Sequence, residues 1–125
     1  MKIVDAPGWS NVEAWFDGKV SLHDAEIESV DLRRMPIPSV IRVHVWRTLQ
    51  EIDQAGHFAT DRHATLSLLL DGILQSDFGD WNEQNVLFDM TIDKGEDGYR
   101  ITLDTSYGFN ATILAKGLRF EIEPR

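Results

Sequence analysis

The chain has 125 residues, 42% hydrophobic and 26% charged, with no cysteine and a formal net charge of -9 from 21 acidic against 12 basic side chains. That makeup suits one folded domain spanning 1–125 and excludes a disordered chain, a disulfide framework and thiol chemistry. The acidic balance opposes direct nucleic-acid binding and favours basic partners, while the lack of a signal-like or bilayer-length apolar run argues against a membrane role and for a cytoplasmic product.

In chain order, a short amphipathic helix comes first. Ser10-Asn11-Val12-Glu13 has the form of a capping box, Val12, Trp15 and Phe16 share one face, and Asp17-Gly18 provides the stop. Together with Trp9, the aromatics are expected to lid one end of a sheet core. From Ser21 to Arg33 the chain is extended, but Ile27 is out of phase with Val30 and Leu32, which places a bulge near Glu28-Ser29. His23 and Asp24 sit at its start, where the expected role is local bonding to backbone groups. Met35-Pro36-Ile37-Pro38 enforces an extended turn. A strand from Val40 to Arg47 then sends Ile41, Val43 and Val45 to one face and Arg42, His44 and Trp46 to the other. Another, Ala64 to Asp71, turns Leu66, Leu68 and Leu70 inward. The polar piece Gln50 to Arg62 between them reads either as a long hairpin loop or as a short helix.

The last third, Gln84 to Glu123, reads as four short strands in succession. The inward sets are Val86, Phe88, Met90 and Ile92; Tyr99, Ile101 and Leu103; Phe109, Ala111, Ile113 and Ala115; and Leu118, Phe120 and Ile122. Turns at Lys94 to Gly98, Ser106 to Gly108 and Lys116-Gly117 set three cross-strand rows on the wet face. One is Asp93, Arg100, Leu114 and Arg119; the second is Thr91, Thr102, Thr112 and Glu121; the third is Asp89, Asp104, Asn110 and Glu123. The third opposes like charges with no cation in the row, a cost on the order of 0.2–1 kcal/mol that can mark a surface awaiting an external cation. Screening by salt, or a neighbouring Lys reaching across, is the plainer reading. About seven strands in meander order with a short N-terminal helix give a mainly β fold. An antiparallel meander, a two-layer sheet and one strongly curved sheet closed by the helix all satisfy the pattern.

Recognised chemical motifs are absent. His44, His57 and His63 with Asp61 lack zinc spacing, and there is no glycine-rich phosphate loop and no Gly-x-Ser-x-Gly elbow. No metal, cofactor or catalytic residue is therefore expected. Asp89 and Asp104 could share a proton as a hydrolytic pair does, but would need a cleft that a flat sheet face does not offer.

Trp15-Phe16, the stretch Ser21-Leu22-His23-Asp24-Ala25-Glu26-Ile27, and Asp77-Phe78 with Gln84-Asn85-Val86-Leu87-Phe88-Asp89 resemble the pattern of a bacterial immunity protein family, the one numbered fifty. The likeness extends over most of the chain. It implies a mainly β protein, encoded beside a polymorphic toxin, that protects the producing cell by binding the toxin and carries no reaction of its own. On that reading Asp89, Asp104, Glu121 and Glu123 supply electrostatics towards a basic toxin domain, with Trp81, Trp46 and Tyr107 as anchors. Trp81 is foremost because it sits in the polar stretch Ser76 to Gln84. Two other classes compete: a small-ligand or metal-binding β domain, which needs a deep pocket, and a hydrolase, which needs His23 or His44 within hydrogen-bond reach of a carboxylate in a cleft. Free strand edges also offer a route to a homo-oligomer.

Overall fold

In the computed structural model, which describes residues 1–125, the period-two alternation is realised as one seven-stranded sheet with a single short helix. The elements are β1 (Lys2–Ile3), α1 (Trp9–Trp15), β2 (Glu26–Asp31), β3 (Ser39–Ile52), β4 (Phe58–Gly79), β5 (Leu87–Lys94), β6 (Tyr99–Thr105) and β7 (Asn110–Pro124). Their order across the sheet is β1-β5-β6-β7-β4-β3-β2. Every neighbouring pair is antiparallel except β1 with β5, so the sheet is mixed by that one short strand.

The sheet curls until its edges meet. Asp24 N–H donates to Leu87 O at 3.0 Å, Leu87 N–H to Ala25 O at 2.7 Å and Ile27 N–H to Asn85 O at 2.9 Å. The start of β2 is thereby laced to the lead-in of β5, on the edge that β1 occupies further along. Of the arrangements the alternation allows, the curved sheet closed by the helix is the one found. Its inner face carries the core: Ile41, Leu66, Leu68, Ile92, Ile101 and Ile113 are fully buried, and Trp9, Val12 and Phe16 join the same cluster. The Trp9 and Phe120 rings lie 4.9 Å apart, which seats α1 on β7.

Several expectations hold in detail. The β2 bulge falls between Ile27 and Ser29, and the pairings Asp93 with Arg100, Thr91 with Thr102 and Asp89 with Asp104 are all present. Gln50 to Arg62 is neither helix nor long loop. β3 and β4 continue into it and turn at Asp53–His57, where Asp53 Oδ1 accepts from the N–H groups of Ala55 and His57 at 2.9 and 3.0 Å.

Other expectations are corrected. The helix begins at Trp9 with Gly8 as its N-cap and no side-chain cap, so Ser10 lies inside it and the capping box does not form. Lys116-Gly117 is no turn. β7 runs straight through it because Gly117 pairs with Asp71 on the long strand β4, which supplies ladder partners on both sides of the glycine. The two final strands are therefore one, and the rows end differently: Thr112 meets Asp77 and Asn110 meets Gly79, while Glu121 and Glu123 lie opposite Ser67 and Thr65. On β5 a register shift between Leu87 and Asp89 turns Leu87 inward and Phe88 out, leaving Phe88 61% exposed.

Candidate partner-binding surface

Four of the predicted partner-binding residues, Asp89, Asp104, Trp81 and Tyr107, gather at one end of the molecule. Asp89, Asp104, Asn110 and Gly79 form a continuous row across β5, β6, β7 and β4. At about 4.8 Å per strand, Asp104 stands roughly 10 Å from Gly79, where β4 ends and the segment bearing Trp81 begins. The row does contain a cation, contrary to expectation: the Met1 α-amino group, brought by β1, lies 3.2 Å from Asp89. Asp104 makes no ion pair.

Trp81 is held in place by asparagine chemistry. Asn82 Nδ2 donates to Asp80 O at 3.0 Å and to Tyr107 O at 2.9 Å, tying the β4–β5 connection to the β6–β7 turn. Asn82 Oδ1 accepts from Gln84 N–H at 2.7 Å, and buried Asn85 receives Asn82 N–H on its side-chain oxygen at 3.1 Å. Such side-chain to backbone bonds fix a segment that no ladder supports. The Trp81 ring meets buried Phe109 edge to face at 5.0 Å, yet Trp81 stays 50% exposed and Tyr107 59% exposed. Both line an open depression of about 650 Å³ that also contains Glu26, Glu28 and Glu83. Of these three carboxylates Glu83 makes no ion pair.

The remaining candidates lie elsewhere. Glu121 and Glu123 are exposed towards the end of β7, roughly 36 and 43 Å along the strand from Asn110 at about 3.3 Å per residue, and the row Glu123–Thr65–His44–Glu26 sets Glu123 about 14 Å from Glu26. Trp46 is half-buried, its ring 4.9 Å from His44 and 5.8 Å from His63, and it lines a different depression with Phe16, Lys19, His23 and Arg47. A 2.9 Å hydrogen bond joins His44 Nε2 to His63 Nδ1, and His63 Nε2 lies 3.0 Å from Thr60 Oγ1. The Glu26 carboxylate is 3.9 Å from His44 Nδ1, outside hydrogen-bond range. His23 and Asp24 approach only to 3.6 Å and are both exposed. Neither side chain bonds the backbone; the local tie is Asp24's own N–H to Leu87 O. No group of three or more His, Asp or Glu side chains is placed to hold a metal ion.

Two carboxylates are held below the usual range. Hydrogen bonds from Arg47 depress Asp61, against the desolvation of that corner, and the same contacts raise Arg47. Arg33 does the same for Asp31. The first pair fastens β3 to β4 across the ladder, and the second closes the end of β2. The surface residues missed from sequence are Glu26, Glu28, Glu83, Asn82 and Asn85; the Asn82-Glu83-Gln84-Asn85 spacing was the available signal, since paired asparagines in a polar stretch mark a pinned turn. No family model, curated protein or solved structure matches the chain.

Proposed function

We propose that this protein is an immunity protein that neutralises a cognate toxin domain by occlusion, acting in the cytoplasm of the producing cell. The observation that carries the reading is the surface around Trp81 and Tyr107, where two exposed aromatic side chains flank an open depression edged by Glu26, Glu28 and Glu83. Exposed aromatics in a rigid setting are the usual anchors of a protein interface, because they bury a large area with few torsions to fix. Carboxylates around them, of which Glu83 makes no ion pair, steer a basic partner and reject an acidic one. The likeness of the His23-Asp24-Ala25-Glu26 stretch and of Gln84 to Asp89 to immunity family fifty supports the same reading, and both stretches border this surface.

Occlusion needs a scaffold that does not deform when the partner docks, and a rolled sheet with a continuous core meets that need. The test is growth rescue. The toxic domain encoded next to this gene is expressed with and without the protein, and rescue that tracks direct binding of the purified pair is the expected result. A neighbouring product that is harmless, or that kills equally in both cases, overturns the proposal.

A further inference from the structure

The ladder that closes the sheet stops at Ile27. Beyond it no backbone hydrogen bond reaches the outer edge of β2 from Glu28 to Asp31, although the inner edge stays paired with β3. β4 is likewise one-sided past Leu70, paired with β7 and nothing else. Between these free edges lies a groove of about 470 Å³, lined by Glu28, Val30, Leu32, Phe78, Trp81 and Phe109. It shares Glu28 and Trp81 with the larger depression, so the two form one continuous channel.

We propose that this groove receives an extended segment of a protein partner with alternating basic and apolar side chains, which adds a strand to the outer edge of β2. An unpaired edge supplies main-chain donors and acceptors at the spacing a strand requires. Period-two alternation then sends one set of side chains onto Val30, Leu32, Phe78 and Trp81 and the other outward. The rim decides the charge of that second set: Glu26, Glu28 and Glu83 border the channel, with Arg125 on Glu28 the cation at hand. A second copy of this chain does not suit the edge, because a twofold antiparallel pairing over Glu28 to Asp31 would set Glu28 opposite the Asp31 of the other copy. The inference rests on the partner-binding reading but not on the partner being a toxin.

The test is selection of a phage-displayed library of random decapeptides on the 125-residue protein, followed by titration of enriched peptides into ¹⁵N-labelled protein. Enriched sequences are expected to alternate Lys or Arg with Val, Ile, Leu or aromatic residues. Their binding is expected to shift the amides of Ser29 to Leu32 and the Trp81 indole. Trp81→Ala, an exposed position that does not threaten folding, and Glu83→Lys should each weaken binding at least about tenfold. No enrichment over an unrelated acidic protein, shifts confined to another face, or unchanged affinity in both variants would overturn the groove. Peptides that bind here beside a failed growth rescue leave the groove standing and remove the toxin. Rescue and toxin affinity that survive both variants remove the groove and leave the immunity reading.

Discussion

Gly8 is the residue on which the entry of the helix depends. Its φ of +88° lies in the left-handed region, and a Cβ there would stand 2.0 Å from the carbonyl oxygen of Phe120. The approach is that close because Phe120 N–H donates to Pro7 O at 2.8 Å, so the N-terminal segment runs against the part of β7 that β6 leaves uncovered. Gly8→Ala is therefore expected to lose at least about 2 kcal/mol, lowering Tm by on the order of 5–10 °C. Gly56→Ala, at a similar φ of +83° but with open space around it, should lose only about 1 kcal/mol; equal losses would mean that the contact with β7 contributes nothing. Asp61 gives a second test at this scale. Arg47 donates to it from Nε at 2.8 Å and Nη2 at 2.6 Å, and reaches Asp17 beyond the end of α1 at 2.9 Å. With its folded-state pKa depressed, Asp61 stabilises the fold fully above the unfolded-state value of about 4, and that contribution disappears as pH falls through the lower folded value. Asp61→Asn should thus melt earlier than the parent at pH 7 and together with it in strong acid. A gap in Tm that persists at pH about 2 would assign the effect to packing.

Strand β5 shows what an element reveals before its neighbours are known. Alternation alone assigns Phe88 to the core, because it keeps step with Met90 and Ile92. The bulge reverses this: Leu87 is fully buried and Phe88 stands 5.8 Å from the His23 ring on the outside. Leu87→Ala should then cost about 2–5 kcal/mol in urea unfolding, whereas Phe88→Ser should stay within about 0.5 kcal/mol. The opposite ranking would restore the unbulged register. The β2 bulge was legible where this one was not, because Ile27 breaks step with Val30 and Leu32, while Val86, Leu87 and Phe88 are all apolar and leave both phases open. A similar ambiguity made Lys116-Gly117 read as a turn. Whether a Lys-Gly pair turns or continues depends on the partner strand, and β4 is long enough to pair on both sides of it. The periodic segments were therefore readable, and what was not readable was set by strands distant in sequence. The same holds for the site: exposed Trp81 follows from its polar surroundings, but its meeting with Tyr107, Glu26 and Glu28 depends on the closure of the sheet.

At the scale of the whole molecule the question is whether the net charge of -9 acts everywhere or at one face. Long-range steering responds to total charge, so any two neutralised carboxylates slow a basic partner's approach at low salt. At about 0.15 M salt the Debye length is about 8 Å, and only charges close to the docked partner continue to matter. Asp89 and Asp104 lie in the row that ends at Gly79 beside Trp81, whereas Glu123 lies in the row that runs through Thr65 and His44 to Glu26, on the other side of the depression. Asp89→Asn with Asp104→Asn, and Glu121→Gln with Glu123→Gln, remove the same formal charge from these two places. Stopped-flow association with the proposed toxin partner should be slowed alike by both pairs at low salt. Near physiological salt the first pair should remain the slower, with a flattened salt dependence, because Asp104 stands about 10 Å from Gly79 and Glu123 about 14 Å from Glu26. The Met1 amine already offsets part of Asp89, so most of the residual effect should follow Asp104 alone. Persistence of the Glu121 and Glu123 effect instead would centre the interface on the Glu26 side of the depression, three strands from Glu123.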